Sequence, residues 1–356
     1  QISVVMGPCA GGAVYSPALT DFTFMVEGSG SCMFVTGPDV VKAVTGETIT
    51  QAQLGGPEVH AGVSGVAHGV FANDMEALRG VREFVSLLPD RGAKPVTCDA
   101  SQIADDPVLE GLVPWEGNQG YDVKDVIGRL IDGESRFFEL MPAWAGNIVI
   151  GLGTMGGQHV GFVANQPLVA SGALDIAAST KAARWVRFCD AFGIPLVTLV
   201  DVPGFLPGRE QEHGGIIRHG AKLLFAYAEA TTPKLTVILR KAYGGAYDVM
   251  SSKHLRGDCN YAWPMAEIAV MGARGAVEIL NRSARQGRTT GPVLEEAAYR
   301  DAFESPFPAA ERGYIDDVIL PGSTRRVLIR DLQRLSVRSG AGARASSFFK
   351  HSNIPL

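Results

Sequence analysis

Two distant segments of the chain carry the same pattern, an apolar strand that runs into a Gly-Gly-Ala corner. Residues Val4–Ala13 align without gaps on Val237–Ala246. After a similar interval, Phe34–Pro38 resembles Ala269–Ala273. Self-similarity of this kind indicates a duplicated supersecondary unit. The chain is therefore predicted to contain one fold twice.

A regular alternation of strand and helix patterns precedes the second corner. Strands are predicted at 148–152, 160–164, 195–200 and 235–239, and helices at 174–192 and 216–230. Apolar residues recur at helical spacing from Ala178 to Phe192, and we expect that helix to end at Gly193. The alternation predicts an α/β domain built on a mostly parallel sheet.

The first copy lacks the elements that precede the corner in the second copy, because the chain begins at Gln1 inside a strand pattern. We therefore expect the first domain to be truncated at its N-terminus. Between the copies, Leu88–Pro95 is rich in turn-forming residues and is followed by the acidic segment Asp99–Asp106. These features predict a first domain at residues 1–100 and a second at 101–356.

Charge and composition exclude several classes of function. The 32 Lys and Arg residues against 37 Asp and Glu give a net charge of −5, so nucleic acid is not an expected partner. No apolar run approaches the ~20 residues of a membrane helix, so no membrane association is expected. The five cysteines are dispersed and no histidine lies in a metal-binding pattern, so no metal site is predicted.

A formal G-x-G-x-x-G pattern occurs at Gly151, Gly153 and Gly156. A dinucleotide site requires a helix to begin at such a turn, so that its N-terminus faces the pyrophosphate. The following segment, His159–Ala164, has the alternation typical of a strand. The pattern therefore predicts a hairpin rather than a nucleotide site.

The Gly-Gly-Ala corners are better candidates for a functional site. Residues with little or no side chain at Gly11, Gly12 and Ala13, and at Gly245 and Ala246, would let backbone N–H groups approach a ligand oxygen. Such a pair of donors is an oxyanion hole. The alternative is that the glycines serve backbone geometry alone.

Two further features lie near the second corner. Asp248 is predicted at the start of a helix, where it either caps helix N–H groups or lines a substrate pocket. The segment Asp201–Gly208, which includes Phe205, is predicted to form a rigid loop at the carboxyl end of a strand. Open α/β sheets bind ligands at that end of their strands.

Several segments together resemble the acyl-CoA carboxyltransferase family, and within it the branch that acts on propionyl-CoA. They are Met6–Ala18, Asp201–Gly208, Gly214–Lys222, Arg240–Met250, Asn260–Pro264, Ala266–Ala273 and Asn353–Leu356. The resemblance covers nearly the whole chain.

This resemblance implies an α/β fold of two crotonase-like (ClpP/crotonase) β-β-α superhelix domains. It implies that Gly11, Gly12 and Ala13 hold the thioester oxygen of acyl-CoA. It also implies that Gly245 and Ala246 hold the ureido oxygen of carboxybiotin. Further substrate-binding residues are expected at Asp248, Tyr247, Tyr243 and Phe205.

The implied activity is that of the carboxyltransferase (β) subunit of a biotin-dependent acyl-CoA carboxylase, which moves a carboxyl group from carboxybiotin to a short acyl-CoA. Biotin would be carried by a partner (α) subunit that contains the biotin carboxylase and carrier domains, and the chain would form a hexamer. The expected compartment is the mitochondrial matrix in a eukaryote and the cytoplasm in a bacterium. The alternatives are a methylmalonyl-CoA decarboxylase or transcarboxylase subunit, and a non-catalytic crotonase-like assembly subunit.

Overall fold

The computed structural model describes residues 1–89, 98–285, 295–342 and 351–355. Most of the predicted boundary segment, residues 90–97, lies outside the described residues. The strands are β1 (Ile2–Val5), β2 (Pro8–Ala10), β3 (Phe22–Val26), β4 (Cys32–Phe34), β5 (Gly69–Phe71), β6 (Phe138–Leu140), β7 (Ile148–Met155), β8 (Gln158–Asn165), β9 (Leu196–Val202), β10 (Lys234–Tyr243), β11 (Cys259–Ala262), β12 (Glu267–Ala269) and β13 (Asp317–Val318).

Helices connect most of these strands. They are α1 (Tyr15–Ala18), α2 (Pro38–Thr45), α3 (Gln51–Gly55), α4 (Pro57–Gly62), α5 (Asp74–Ser86), α6 (Leu109–Leu112), α7 (Val123–Leu130), α8 (Ile176–Phe192), α9 (Arg209–Gly214), α10 (Ile216–Glu229), α11 (Gly244–Asp248), α12 (Ala273–Arg285), α13 (Glu296–Phe303), α14 (Pro306–Glu311) and α15 (Thr324–Gly342).

The larger sheet has eight strands in the order β13-β11-β10-β9-β8-β7-β6, with β12 also paired to β10. All its pairings are parallel except those of β6 with β7 and of β7 with β8. The predicted α/β architecture with a mostly parallel sheet is thereby confirmed. The central strands β9 and β10 are buried on both faces, as expected for a sheet that is covered on both sides.

Helix α8 shows how local sequence sets the ends of an element. The Asp175 carboxylate accepts a hydrogen bond from the N–H of Ala178 at 2.7 Å, which caps the first turn. The helix ends at Gly193, whose φ of +66° is readily adopted only by glycine. Leu174, where we expected the helix to begin, instead forms an isolated β-bridge with Phe205.

The G-x-G-x-x-G segment is part of a β-hairpin, as predicted. Gly151 and Gly153 lie inside β7, which pairs antiparallel with β8. The turn is made by Gly156 and Gly157, at φ of +57° and +77°. Because a strand and not a helix follows this turn, the segment lacks the helix N-terminus that a dinucleotide pyrophosphate requires.

The predicted repeat is present in the pairing register. Strand β1 pairs with β3, and β3 with β5, in the way that β10 pairs with β11, and β11 with β13. Ahead of the corners, Ala10 pairs with Phe34 and the aligned Tyr243 pairs with Ala269. The correspondence extends to a side chain: His68 Nδ1 accepts the backbone N–H of Thr23, and an Asp316 oxygen accepts that of Asn260.

The first copy shares its core with the larger sheet. Phe22 of β3 packs edge-on against Phe84 and Phe188, with ring centroids 4.6 and 4.7 Å apart. Arg184 of α8 donates to the backbone carbonyl of Asp21. Residues 1–89 therefore pack directly on α8, and the division at residue 100 stays a prediction.

The buried side chain of Lys181 forms hydrogen bonds to the irregular segment between β6 and β7 and to the first residue of β7. Its Nζ donates to the carbonyl oxygens of Met141, Trp144, Ala145 and Ile148 at 2.8 to 3.2 Å. Met141 and Ala145 have positive φ, and their carbonyls also accept from the N–H groups of Trp144 and Ile148. Lys181 adds a second donor to these two carbonyls and donates to that of Trp144 as well. Burial lowers the pKa of Lys181 to about 7.

Replacing Lys181 should therefore destabilise the protein by removing a donor that four backbone carbonyls share. We expect Lys181→Met to lower the free energy of unfolding by about 3 kcal/mol or more, since each unsatisfied buried group costs roughly 1 to 3 kcal/mol. Urea unfolding measures the change. Lys222→Met, at an exposed position of α10, is the matched control. Equal unfolding midpoints for both variants would contradict this role.

Candidate functional site

Each Gly-Gly-Ala corner is a strand followed at once by a short helical turn. At the first corner β2 leads into a 3₁₀ turn, Gly11–Val14, and at the second β10 leads into α11. Each turn begins with a glycine in the left-handed region, Gly11 at φ +66° and Gly244 at φ +55°. The aligned glycines thus make the same abrupt change of chain direction.

The abrupt change leaves backbone N–H groups without partners in their own helix. The first amides of any helix have no intrahelical acceptor, which at the second corner applies to Gly245 and Ala246. In the 3₁₀ turn, where hydrogen bonds span three residues and not four, the amides without an acceptor in the turn are those of Gly11 and Gly12. These two are therefore better placed as donors than Ala13. Among the described residues, no loop carbonyl or side chain accepts from these four amides.

The approach to both corners is open. A Cβ built on Gly11, Gly12 or Gly245 meets no atom within 4 Å. A Cβ built on Gly244, in contrast, would lie 2.8 Å from the carbonyl oxygen of Val270. The segment after β12 therefore packs against the second corner at Gly244, whereas no atom lies within 4 Å of the equivalent Cβ position at Gly11. Binding of a ligand oxygen at either corner stays a prediction.

The structure separates the roles expected of the two tyrosines. The Tyr243 hydroxyl donates to the Glu267 carboxylate, and burial together with this carboxylate raises the pKa of Tyr243 above its ordinary value. Tyr243 is thus anchored to β12. The Tyr247 hydroxyl is buried and has no hydrogen-bond partner in the described part of the chain, and burial raises its pKa as well. Substrate contact by either tyrosine stays a prediction.

Asp248 is not at the start of a helix. It is the last residue of α11, which is a single turn long, so the expectation that it begins the helix, and with it the capping alternative, is wrong. The side chain is half-buried, and its place in a substrate pocket stays a prediction. Phe205 packs against Gly220 of α10, where an added Cβ would meet the ring at 2.9 Å. A substrate contact by Phe205 also stays a prediction.

A buried ion pair beside the second corner was not predicted from the sequence. The Asp201 carboxylate, at the end of β9, accepts from Arg240 Nε and from the backbone N–H of Lys241, each at 3.1 Å. Burial raises the pKa of Asp201, and the Arg240 charge opposes that effect. The signal that could have revealed the pair is two adjacent cations that directly follow the apolar run Val237–Leu239 within the buried strand β10.

These cations bind a loop to the carboxyl ends of β9 and β10. Arg240 Nη1 donates to the carbonyls of Pro114, Glu116 and Gln119 at 3.2, 3.0 and 2.9 Å. Lys241 Nζ donates to the carbonyl of Gly117. Residues 114–119 are therefore fixed next to the strand that leads into the second corner.

The part of the chain that the structure describes contains no group of three or more His, Cys, Asp or Glu side chains placed to hold a metal ion. Within the same residues, none of the helices combines the length and apolarity needed to cross a membrane.

Comparisons with known proteins agree on one family. The family model for the carboxyl transferase domain matches residues 1–342. The chain is 57% identical over 359 residues to the mitochondrial propionyl-CoA carboxylase beta chain of Mus musculus, covering all of this chain. It is 56% identical over 361 residues to the propionyl-CoA carboxylase beta chain of Cereibacter sphaeroides, again over all of this chain and over 69% of that protein.

Solved structures give the same result. The hexameric transcarboxylase 12S, with methylmalonyl-coenzyme A and methylmalonic acid bound, matches with a TM-score of 0.89 and 46% identity over all of this chain and 68% of that one. The α/β fold of the chain is thus that of the transcarboxylase 12S structures. The chain spans 64% of the length of the mouse relative.

The two glycines of the second corner should differ in their tolerance of a side chain. Gly244→Ala should destabilise the protein, because its positive φ and the contact with Val270 both oppose a Cβ. Gly245→Ala should leave the melting temperature nearly unchanged, since its Cβ enters open space. Thermal unfolding of the two variants makes the comparison, and a larger loss in Gly245→Ala would contradict the geometry.

Proposed function

Because the chain belongs to the carboxyl transferase domain family, we propose that it transfers a carboxyl group from carboxybiotin to the α-carbon of a short acyl-CoA. Propionyl-CoA is the preferred substrate and methylmalonyl-CoA the product. The observation that carries this proposal is the pair of equivalent corners at which a helical turn begins directly after a strand, so that its first amides have no acceptor within the turn. Identity of 56 to 57% to propionyl-CoA carboxylase beta chains supports the choice of substrate.

The proposal includes two crotonase-like domains, residues 1–100 and 101–356, with one donor corner in each. The matched strand registers of the two copies support this division. Gly11, Gly12 and Ala13 form the corner that holds the thioester oxygen of acyl-CoA, with Gly11 and Gly12 best placed to donate. Gly245 and Ala246 donate to the ureido oxygen of biotin. The open space at both corners fits such oxygen ligands.

Carboxybiotin supplies CO2 and, at its ureido nitrogen, the base that takes the acyl α-proton. The chain's own residues stabilise the negative charge that develops on two oxygens. The amides of Gly245 and Ala246 stabilise charge on the ureido oxygen, and those of the first corner stabilise charge on the thioester oxygen. A single preorganised donor of this type contributes roughly 3 to 4 kcal/mol to the transition state.

Partners and compartment follow from the same proposal. A biotin carboxylase and carrier (α) subunit delivers carboxybiotin, and the chain assembles with itself as a hexamer. The hexamer formed by transcarboxylase 12S supports the assembly. The mammalian relatives are named mitochondrial and others are bacterial. We accordingly propose the mitochondrial matrix for a eukaryotic source and the cytoplasm for a bacterial one.

A second candidate is a transcarboxylase or decarboxylase subunit that takes the carboxyl group from methylmalonyl-CoA. The TM-score of 0.89 to transcarboxylase 12S supports this second candidate. The full-length protein, combined with a biotin carboxylase and carrier partner, should carboxylate propionyl-CoA with ATP and bicarbonate. Activity only from methylmalonyl-CoA would favour the second candidate. No transfer in either direction would favour a non-catalytic assembly subunit.

The amide pair of the second corner is best tested at Gly245. Ala246 is only 1% exposed, so a large residue there would disrupt the core, whereas Gly245 faces open space. Gly245→Val should fold but lower carboxyl transfer by ~100- to 1000-fold, because its side chain blocks the oxygen from the amides. Gly128→Val, on the exposed face of α7 with no atom near its Cβ, is the control. Wild-type turnover in Gly245→Val would show that the second corner is not the site that binds the ureido oxygen.

Asp248 is proposed to select the length of the acyl chain. Asp248→Ile replaces a half-buried carboxylate with an apolar side chain, which should change the ratio of kcat/KM between acetyl-CoA and propionyl-CoA by roughly tenfold. Asp125→Ile, at an exposed position of α7, should leave the ratio unchanged. If both variants keep the wild-type ratio, Asp248 does not belong to the acyl pocket.

A further inference from the structure

Strand β10 changes its pairing shortly before the second corner. Its residues Leu235–Ile238 pair with β11, whereas Lys241–Tyr243 pair with β12. The register with β9 shifts between the same two stretches, so that Asp201 alone lies opposite residues 239–241. Residues 239–241 thus form a break in the regular ladder, the strand break. Irregularities of this kind redirect a strand and are frequent beside active sites.

The Asp201 carboxylate acts as a ladder partner at the strand break. Its Oδ1 accepts the backbone N–H of Lys241, and its Oδ2 accepts from Arg240 Nε, each at 3.1 Å. Asp201 is 1% exposed and Arg240 is 2% exposed, so the chain buries both groups by itself. A buried backbone N–H requires an acceptor, and at the strand break a side chain supplies it.

The first copy makes the equivalent break with different residues. The repeat aligns Arg240 and Lys241 with Gly7 and Pro8. There too the chain changes its pairing partner, from β3 for β1 to β4 for β2. Proline has no backbone N–H, so Pro8 needs no acceptor at the position where Lys241 requires one. Asp201 therefore serves the second copy.

The strand break determines where the second corner lies, because the corner follows directly on the β10 residues that pair with β12. On the basis of the function proposed above, we propose that Asp201 is a positioning residue for carboxybiotin. Its carboxylate holds the strand break and thereby places the amides of Gly245 and Ala246 against the ureido oxygen. Asp201 acts through the backbone and touches neither substrate. The acyl-CoA corner is independent of it, because Pro8 stands at the equivalent position.

The test compares Asp201→Ala with Asp201→Asn. Both variants remove the charge that faces Arg240, but only asparagine keeps a side-chain oxygen that can accept the N–H of Lys241. The full-length protein is assayed for carboxyl transfer from methylmalonyl-CoA to free biotin, with each substrate varied in turn. Asp201→Ala should raise the KM for biotin about tenfold, as expected when an amide no longer reaches the ureido oxygen. The KM for methylmalonyl-CoA, and both KM values of Asp201→Asn, should stay within about threefold of wild type.

Lys241→Pro removes the donor instead of the acceptor, and so gives the second copy the residue of the first. With no N–H to accept, alanine and asparagine at position 201 should become equivalent. Combined with Lys241→Pro, Asp201→Ala and Asp201→Asn should therefore have biotin KM values within about twofold of each other. A difference that persists in this background, in KM or in folding, would overturn the proposal. Loss of folding in both single Asp201 variants would also overturn it, because the charge and not the acceptor would then be decisive.

The control is Asp190→Ala. The Asp190 carboxylate is also buried and accepts the backbone N–H groups of Thr231 and Thr232, ahead of β10 and at the end remote from the corner. This variant should lower the melting temperature and leave both KM values unchanged. Unchanged KM values in Asp201→Ala, or equal changes for both substrates, would contradict the positioning role and leave the proposed function in place. A wild-type protein without transfer activity would instead overturn the proposed function, on which the positioning role rests.

Discussion

The site depends on a helix that begins immediately after a strand, with no intervening loop. Such a junction requires a sharp turn, which a left-handed glycine makes at Gly11 and again at Gly244. It also leaves the first helical amides without an acceptor in their own helix. The donors are therefore a consequence of backbone geometry, and side chains act mainly by leaving the approach open.

Buried cations hold the irregular backbone around this junction. Arg240 and Lys241 bind four carbonyls of the segment 114–119. Lys181 binds three carbonyls between β6 and β7 and that of Ile148 at the start of β7. In each case a basic side chain inside the protein donates to several backbone oxygens of an irregular segment. The sheet can thus end in loops close to the second corner without leaving buried polar groups unsatisfied.

The two corners share a register but not their surroundings. The second is walled by the carbonyl of Val270 and followed by a full α-helical turn, whereas the first has open space and a 3₁₀ turn. A duplicated unit with identical surroundings would favour two identical ligands. The different surroundings agree with two ligands of different shape, which is what the proposed transfer reaction requires.

The amino-acid sequence by itself determined the features that depend on neighbouring residues and on the repeat. Asp175 and Gly193 set the ends of α8, and the aligned Gly-Gly-Ala segments set the two corners. The prediction for Asp248 was wrong, because the length of a one-turn helix is decided by where the chain must turn back into the core. Only the tertiary structure brought Asp201 and Arg240 to the loop 114–119, since Arg240 and its carbonyl partners are 121 to 126 residues apart in the chain. Contacts of that kind follow from strand order and register, which no local pattern contains.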